Sequence, residues 1–389
     1  MGKERKVTRK KRLSQYYTNR DIAEALITAI PTKKAKTIID LSAGEGALLI
    51  TARDKYKEAK LYGVDIDEEN CNKFSTLQNT TSLCLDSTLP CTLEKIKLLQ
   101  KKFDVVIGNP PFFQNEHTDF TRSVFLKWSL NFTGKYYRAE ILFLILSLEL
   151  LKSSGSCGIV VPDTIISGEK FTRLREKIVS SFKFIKIIEL DNRSFLGTEA
   201  RTHILIVSND ESIPSSIVTG KSKISSEIEL SKDCFILRAD YQYNSFKYKD
   251  SKITIENSGV RVLRGKVSKS KDSDLLGSII HSSSFYDNYS FFDNDREIEE
   301  NAAVIQAVKG DVVVPRVGTR CLGKVGIIRS GSFTITDCVF VIKASEHKCG
   351  DMIVRTLKSK FGVEWIKSIS KGIGAQYITL NDIRKLPLR

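Results

Sequence analysis

The chain has little that would cross-link it, anchor it in a membrane or hold a metal. Eight cysteines are scattered over 389 residues without a single C-x-x-C pair. Only four histidines are present and none gives the cysteines a zinc-module spacing. Reduced thiols serving as small apolar residues are therefore expected, and no metal. Long apolar runs are missing as well. The longest, residues 141–151, is broken by Ser147 and Glu149 and falls short of the ~20 apolar residues of a membrane span. It reads as a buried helix. The opening residues, MGKERKVTRKKR, lack the apolar core of a secretory leader, so a cytoplasmic location is expected. No pair of carboxylates is spaced for hydrolysis. Asp163 with Glu169 and Lys170 has the wrong order for a nuclease cluster and reads as a loop and helix start.

Positive charge, by contrast, is abundant. The formal net charge is +15 and the pI near 9.3, which suits a polyanionic partner. Residues 3–12 alone carry seven basic side chains and one acid, a solvated arm able to lie along phosphates.

Proline is scarce, but two prolines stand side by side in the most informative stretch. Residues 103–112 read FDVVIGNPPF. Val105, Val106 and Ile107 make the β-branched run of a strand buried on both faces. Gly108 permits a tight turn, and Pro110 and Pro111 fix φ so that the turn is stiff. Two acceptors, the Asn109 side-chain carbonyl and the Pro110 main-chain carbonyl, can take hydrogen bonds from one exocyclic NH2 group. Phe112 offers a flat face to a ring. Upstream, residues 37–49 read TIIDLSAGEGALL: a strand, a turn with Gly44 and Gly46, then a helix start suited to a close-lying ligand. A second strand, LYGVDID, ends in Asp65, roughly 20 residues past the glycines, where an acid typically takes ribose hydroxyls. A third apolar segment leads to Asp86 in LCLDSTLP.

On these motifs the chain resembles the gamma-class DNA adenine-N6 methyltransferases, among them the TaqI modification enzyme, and the modification subunits of Type I restriction systems. The resemblance implies a Rossmann-like α/β domain with a mostly parallel sheet and S-adenosylmethionine as cofactor. Residues 15–18, including Tyr17 and Thr18, match the segment that closes over the methionine end. Asp40, Ser42, Gly44, Glu45 and Gly46 match the glycine-rich motif. Asp65 and Ile66 match the ribose site, and Asp86 the acid that meets the cofactor's adenine ring. Asn109, Pro110 and Phe112 match the catalytic tetrapeptide, with Asn109 also bordering the cofactor. Residues 153–162 match a strand flanking the site, and Phe195 the aromatic residue on the second face of a flipped base. Phe112 stands where many members carry Tyr. Stacking survives that change, because both rings present the same π-face.

The organisation expected is a basic arm at 1–13, a methyltransferase domain at 14–209, a linker at 210–223 and a smaller β-rich target-recognition domain at 224–389. Residues 310–320, GDVVVPRVGTR, and 374–388, GAQYITLNDIRKLPL, resemble segments of specificity subunits. Arg316, Arg320, Lys324, Arg329 and Gln376 are the candidates for reading base edges or phosphates. The partners implied are double-stranded DNA and a restriction endonuclease acting separately, with the chain as a monomer. An N4-cytosine amine, an RNA amine and a protein glutamine stay open as alternative acceptors. The second, β-rich half argues against the last two.

Overall fold

The structure is a computed structural model and describes residues 18–191, 201–222, 224–246, 253–268, 278–295, 304–344, 350–372 and 375–388. The chain divides into two units between Tyr241 and Gln242.

The first unit is built on one nine-stranded sheet. Its strands are β1 (Thr37–Asp40), β2 (Lys60–Asp65), β3 (Thr80–Cys84), β4 (Phe103–Gly108), β7 (Leu151–Pro162), β8 (Phe184–Glu189), β9 (Thr202–Ser208), β10 (Ser216–Lys221) and β11 (Ile224–Glu229). A separate two-stranded ribbon, β5 (Gln114–Glu116) and β6 (Tyr136–Arg138), follows β4. The sheet order is β11-β10-β8-β9-β7-β4-β1-β2-β3. Pairing is parallel from β3 through β7 and between β8 and β10, while β9 runs antiparallel to both of its neighbours. The order reverses at β1, between β4 and β2. In open α/β sheets of this kind ligands bind at such a switch point, beyond the carboxyl ends of the strands.

The sequence dictates these elements locally. Strand β9 reads THILIVS and is buried at every position, as a central strand covered on both faces requires. Helix Arg20–Ala29 starts where Asn19 Oδ1 accepts the Ile22 amide at 2.9 Å, and it buries Ile22, Ala23, Leu26 and Ile27 as one stripe. Two apolar clusters result, one on each face of the sheet. One gathers helix Ala139–Glu149 with Phe103, Val106 and Ile159; the other gathers helices Arg20–Ala29 and Ala47–Lys55 with Ile38, Val105 and Ile107. The run at 141–151 is accordingly a buried helix followed by the first residue of β7.

One boundary needs correction. The stretch 210–223, expected as a linker, contains β10, paired in register with β8 from Ser216↔Phe184 to Lys221↔Glu189, and β11 follows it in the same sheet. Its serines and lysines read as loop, yet a strand near a sheet edge needs only partial burial. Beyond it, helix Lys232–Leu237 is tied to the same unit by the buried Arg175. The Arg175 guanidinium donates to the main-chain carbonyls of Ile165, Gly168, Ile236 and Leu237 at 2.7–3.0 Å. The first unit thus runs some thirty residues past the expected end.

Among the described residues the second unit has two sheets. Five strands, β12 (Val262–Arg264), β14 (Tyr289–Phe292), β16 (Val312–Pro315), β17 (Val325–Ile328) and β19 (Val339–Ile342), lie in the order β12-β19-β16-β17-β14. A three-stranded sheet joins β13 (Ile279–Ile280), β18 (Ser332–Ile335) and β15 (Gln306–Val308). The two-residue period of β16 explains the layering. Val312 and Val314 pack with Trp365, Ile353 and Ile366 of helices Gly350–Lys358 and Lys360–Ile369, whereas Val313 packs with Phe333 and Ile335 of the smaller sheet. Among the described residues no helix is long and apolar enough to cross a membrane.

Candidate active site

The carboxyl ends of β1, β2 and β4 bring the first group of candidate residues together. Gly44 and Gly46 both adopt left-handed backbone, with φ of 55° and 88°. At Gly46 a Cβ would also lie 2.8 Å from Cβ of Phe74, so the turn between β1 and helix Ala47–Lys55 admits only glycine there. Asp65, at the end of β2, reaches back to this turn. Its carboxylate accepts the Gly44 amide at 2.8 Å, the Asp67 amide at 2.8 Å and the Asn70 side-chain amide at 3.2 Å. The acid and the glycine loop therefore form one hydrogen-bonded unit.

Asp40, at the end of β1, is the electrostatic centre of the group. It is 1 % exposed, and its Oδ1 accepts the Ser42 amide at 2.9 Å while Oδ2 has no hydrogen-bond partner. Burial pushes its carboxyl up to about 7, against the Ser42 hydrogen bond, and the nearby Asp65 charge adds to the rise. A buried carboxylate with an unused oxygen beside a left-handed glycine turn fits a ligand carrying a cationic group. Asp86 is half-buried and accepts from the Thr88 amide and hydroxyl, at 2.8 and 2.7 Å. Ser87 next to it donates to the Leu41 carbonyl at 2.7 Å, which ties the Asp86 loop to the loop after β1. Ile66 is 54 % exposed, an apolar side chain offered to whatever sits over the strand ends. Glu45 is paired with Lys73 at 2.7 Å on the surface.

The tetrapeptide sits one strand away. β4 pairs with β1 up to Asp40↔Ile107, and a Cβ at Gly108 would be 3.7 Å from Asp40 Oδ1. Asn109 is half-buried, and its side-chain NH2 donates to the Thr18 hydroxyl at 3.0 Å. That bond commits the donor end of the amide and so fixes its orientation. Pro110 is buried; Phe112 is partly buried and packs against the cluster containing Ile38 and Val105. The turn is held downstream by the β5–β6 ribbon, where the Ala139 amide donates to the Phe113 carbonyl at 2.9 Å. Tyr17 and Phe195 lie outside the described residues.

A second charged group at the same sheet edge was not foreseen. Arg201, 4 % exposed, lies 3.1 Å from Glu189, 3.4 Å from Asp240 and 3.8 Å from Asp163. His203 is fully buried within 4.0 Å of Asp163 and Glu189, and burial lowers its pKa. Asp163 follows β7, Glu189 ends β8, and Arg201 precedes β9. The only hint in the sequence was an acid at each strand end, the pattern that had singled out Asp40 and Asp65.

The candidates of the second unit are dispersed in role. The Arg316 guanidinium donates to the Asp337 carbonyl at 2.9 Å. Lys324 caps the carbonyls of Phe285 and Tyr286, at 3.0 and 2.7 Å. Arg329 forms a fork with the Asp293 carboxylate and stacks on Phe291. Arg320 is exposed, and the Gln376 carbonyl accepts the Gly318 amide at 2.8 Å.

The sequence that carries this strand-end acid, glycine turn and Asn-Pro-Pro-Phe turn matches a known family model, that of the N-6 DNA methylases, over residues 5–257. The chain belongs to the N-6 DNA methylase family. Its relatives in that family include the methylase subunit of the Type I restriction enzyme EcoEI from Escherichia coli, 25 % identical over 216 residues that cover 49 % of this chain and 41 % of the subunit. Another relative is the tRNA1(Val) (adenine(37)-N6)-methyltransferase of Shewanella halifaxensis, 25 % identical over 46 % of this chain and 70 % of that enzyme. The chain spans about half the length, or less, of the restriction-system relatives it matches. Among solved structures, the type IIG restriction endonuclease BpuSI superposes with a TM-score of 0.50 at 12 % identity, covering 95 % of this chain and 58 % of that one. This likeness concerns the fold alone.

Proposed function

We propose that the chain transfers a methyl group to the N6 amine of an adenine flipped out of double-stranded DNA, as the modification component of a restriction-modification system. S-adenosylmethionine, when bound, supplies the methyl group. Asp40, Ser42, Gly44, Glu45, Gly46, Asp65, Ile66 and Asp86 would hold it, with Tyr17 and Thr18 closing from the N-terminal side. The fit rests on the unused Asp40 Oδ2, which suits a cationic ligand, and on the close approach that the two left-handed glycines permit.

The observation that carries the reading is the oriented Asn109 amide. With its NH2 donating to Thr18, the carbonyl oxygen is the end that accepts from a target amine, together with the Pro110 carbonyl. Two acceptors on one NH2 group turn the nitrogen lone pair out of conjugation with the ring and along a fixed direction. Stiff alignment of this kind supplies rate without a strong base, because the amine proton is lost after the new bond has begun to form. Adenine N6 is inaccessible inside the duplex, so the base must leave the stack at a cost of a few kcal/mol. Stacking on Phe112 and Phe195 offsets part of this, at ~1–3 kcal/mol per base. The second unit, from residue 242, would choose the site, with Arg320 as its foremost base reader and Gln376 beside it, since Arg316, Lys324 and Arg329 are engaged within the protein.

The tRNA-modifying relative keeps an adenine in RNA as the second reading. Purified protein incubated with labelled S-adenosylmethionine and either plasmid DNA or total tRNA separates the two. Transfer to DNA, mapped to adenines in one sequence context by long-read sequencing, is the expected result. Transfer to tRNA alone would overturn it.

A further inference from the structure

The basic residues picked from the sequence of the second unit are largely engaged inside the protein, but another set of cations keeps an excess of positive charge at the surface. Strand β14 is an edge of the five-stranded sheet, and its aromatic rings are flanked by cations. The Lys358 ammonium lies 3.8 Å from the centroid of the Tyr289 ring. Tyr289 and Phe291 meet edge to face at 4.7 Å, and the Arg329 guanidinium lies 4.6 Å from the Phe291 ring. Arg329 is neutralised by Asp293. The opposite end of the row stays positive. There Lys358, Lys360 and Lys367 line a groove of about 330 Å³ between β14 and the helices Gly350–Lys358 and Lys360–Ile369. Glu364 is the one carboxylate in its lining, 3.9 Å from Lys360. Among the described residues neither Lys358 nor Lys367 has an acidic partner.

We propose that this groove is a phosphate clamp for the backbone of duplex DNA, formed by Lys358, Lys360 and Lys367; the assignment rests on the reading of the chain as a DNA methyltransferase. Three observations converge on a phosphate rather than a base. The lining is cationic, and lysine binds phosphate as a compact charge. Tyr289 already carries Lys358 on its face, so it holds a cation instead of offering a stacking platform, and a cation held in place loses less freedom on binding. Lys358, Lys360 and Lys367 are all exposed, so their charges are open to an anion outside the groove, where the backbone of a duplex can reach them. Such contacts fix register on the duplex without reading sequence.

The test uses the full chain with Lys358→Gln, Lys360→Gln and Lys367→Gln combined, and Arg355→Gln, on the same helix but outside the groove lining, as the control. Binding to cognate and scrambled duplexes is measured over a range of salt concentrations. The triple variant should weaken both duplexes alike, and its slope of log affinity against log salt should be shallower by about 0.9 per lost contact. The control should keep the wild-type slope, and thermal melting and S-adenosylmethionine affinity should be unchanged in both. An unaltered slope in a folded triple variant overturns the clamp, as does an equal loss in the control. A loss of discrimination between cognate and scrambled DNA at constant slope assigns the lysines to base reading and also overturns it. Wild-type protein that methylates DNA while the triple variant keeps its slope sinks the clamp alone. Wild-type protein that neither binds nor methylates DNA sinks the functional reading and the clamp with it.

Discussion

The side-chain amide of Asn109, at the end of β4, donates to the hydroxyl of Thr18, 91 positions earlier in the chain. One bond therefore connects the segment preceding the first helix with the tetrapeptide. Its consequence is directional. Without the Thr18 hydroxyl the Asn109 NH2 loses this partner, and the acceptor points less reliably at a target amine. Thr18→Val should lower kcat about 10-fold, the effect of one hydrogen bond of about 1.4 kcal/mol, with little change in KM for DNA. Asn109→Ala should lower it about 100-fold or more. A Thr18→Val enzyme with wild-type kcat, measured by single-turnover methyl transfer, removes the positioning role.

Asp65 makes a different prediction, because its carboxylate is built into the loop it would serve. It accepts from Gly44, Asp67 and Asn70, so Asp65→Ala breaks the turn as well as any ribose contact. The expected loss of stability is about 1–3 kcal/mol, from buried donors left unsatisfied. Asp65→Asn is the milder probe: it keeps the shape and one acceptor oxygen, although its NH2 then faces the Gly44 or the Asp67 amide. Calorimetry should find S-adenosylmethionine affinity reduced at least 10-fold in a protein that still folds and melts between wild type and Asp65→Ala. Unchanged affinity in that variant would remove Asp65 from the cofactor site.

The end of the first unit can be tested by truncation. A chain ending at Lys223 loses β11 and the helix Lys232–Leu237, and strips two of the four carbonyl acceptors from the buried Arg175 guanidinium. A buried cation left short of partners is strongly destabilising. The shorter chain should aggregate, while one ending at Tyr241 should show cooperative melting and bind S-adenosylmethionine. Equal stability of the two would return the boundary to residue 223.

Why the sequence revealed so much of one half and less of the other follows from the kind of signal each used. Residues 37–49, 61–67 and 103–112 combine β-branched runs with glycines and prolines whose backbone demands are local; Gly44 is hydrogen-bonded to Asp65 at the strand ends, and Asn109 follows β4, the neighbour of β1. The β8–β10 pairing is different. SIVTGK carries the β-branched run Ile217, Val218 and Thr219, but the run is short and set among serines, lysines and Pro214, and it becomes a strand because β8 offers a parallel edge. The roles of Arg316, Lys324 and Arg329 were hidden for a related reason. Their partners are the Asp337, Phe285 and Tyr286 carbonyls and the Asp293 side chain, and no periodicity reports which charge a fold will use internally. Lys358, Lys360 and Lys367 carried no motif and gained meaning only when two helices brought them to one groove.

Arg201 should be the most costly single site in the first unit. It faces Asp163, Glu189 and Asp240 together, at 3.8, 3.1 and 3.4 Å, all four side chains being nearly inaccessible to solvent. Arg201→Leu leaves Glu189 and Asp163 without a guanidinium, for a loss of about 3–5 kcal/mol in urea denaturation. Adding Glu189→Leu should recover part of that loss, because the orphaned charge goes too. If the double variant is less stable than the single one, the cluster is not held by charge compensation.

Asp40 gives the pH dependence. Its folded-state value of about 7 stands above the ordinary 3.8. Between these two values the unfolded chain has released the proton while the folded chain keeps it. The folded state then binds more protons, and stability falls as pH rises, with the change complete above the folded value. Below about pH 4 both states are protonated and the contribution is fully present. Each pH unit in the window is worth about 1.4 kcal/mol, so the total reaches roughly 4 kcal/mol at most. Other groups titrate over the same range, so the comparison that isolates Asp40 is with Asp40→Asn, which cannot ionise. The stability difference between wild type and variant should shrink or reverse from pH 5 to pH 7.5, always in the direction of a weakening wild type. A cationic ligand reverses part of this by favouring the ionised carboxyl, so S-adenosylmethionine should stabilise wild type more at pH 7.5 than at pH 5.5, and the variant equally at both. Parallel pH curves for the two proteins, with and without the ligand, would show that Asp40 is ionised throughout and that its unused oxygen has no part in the site.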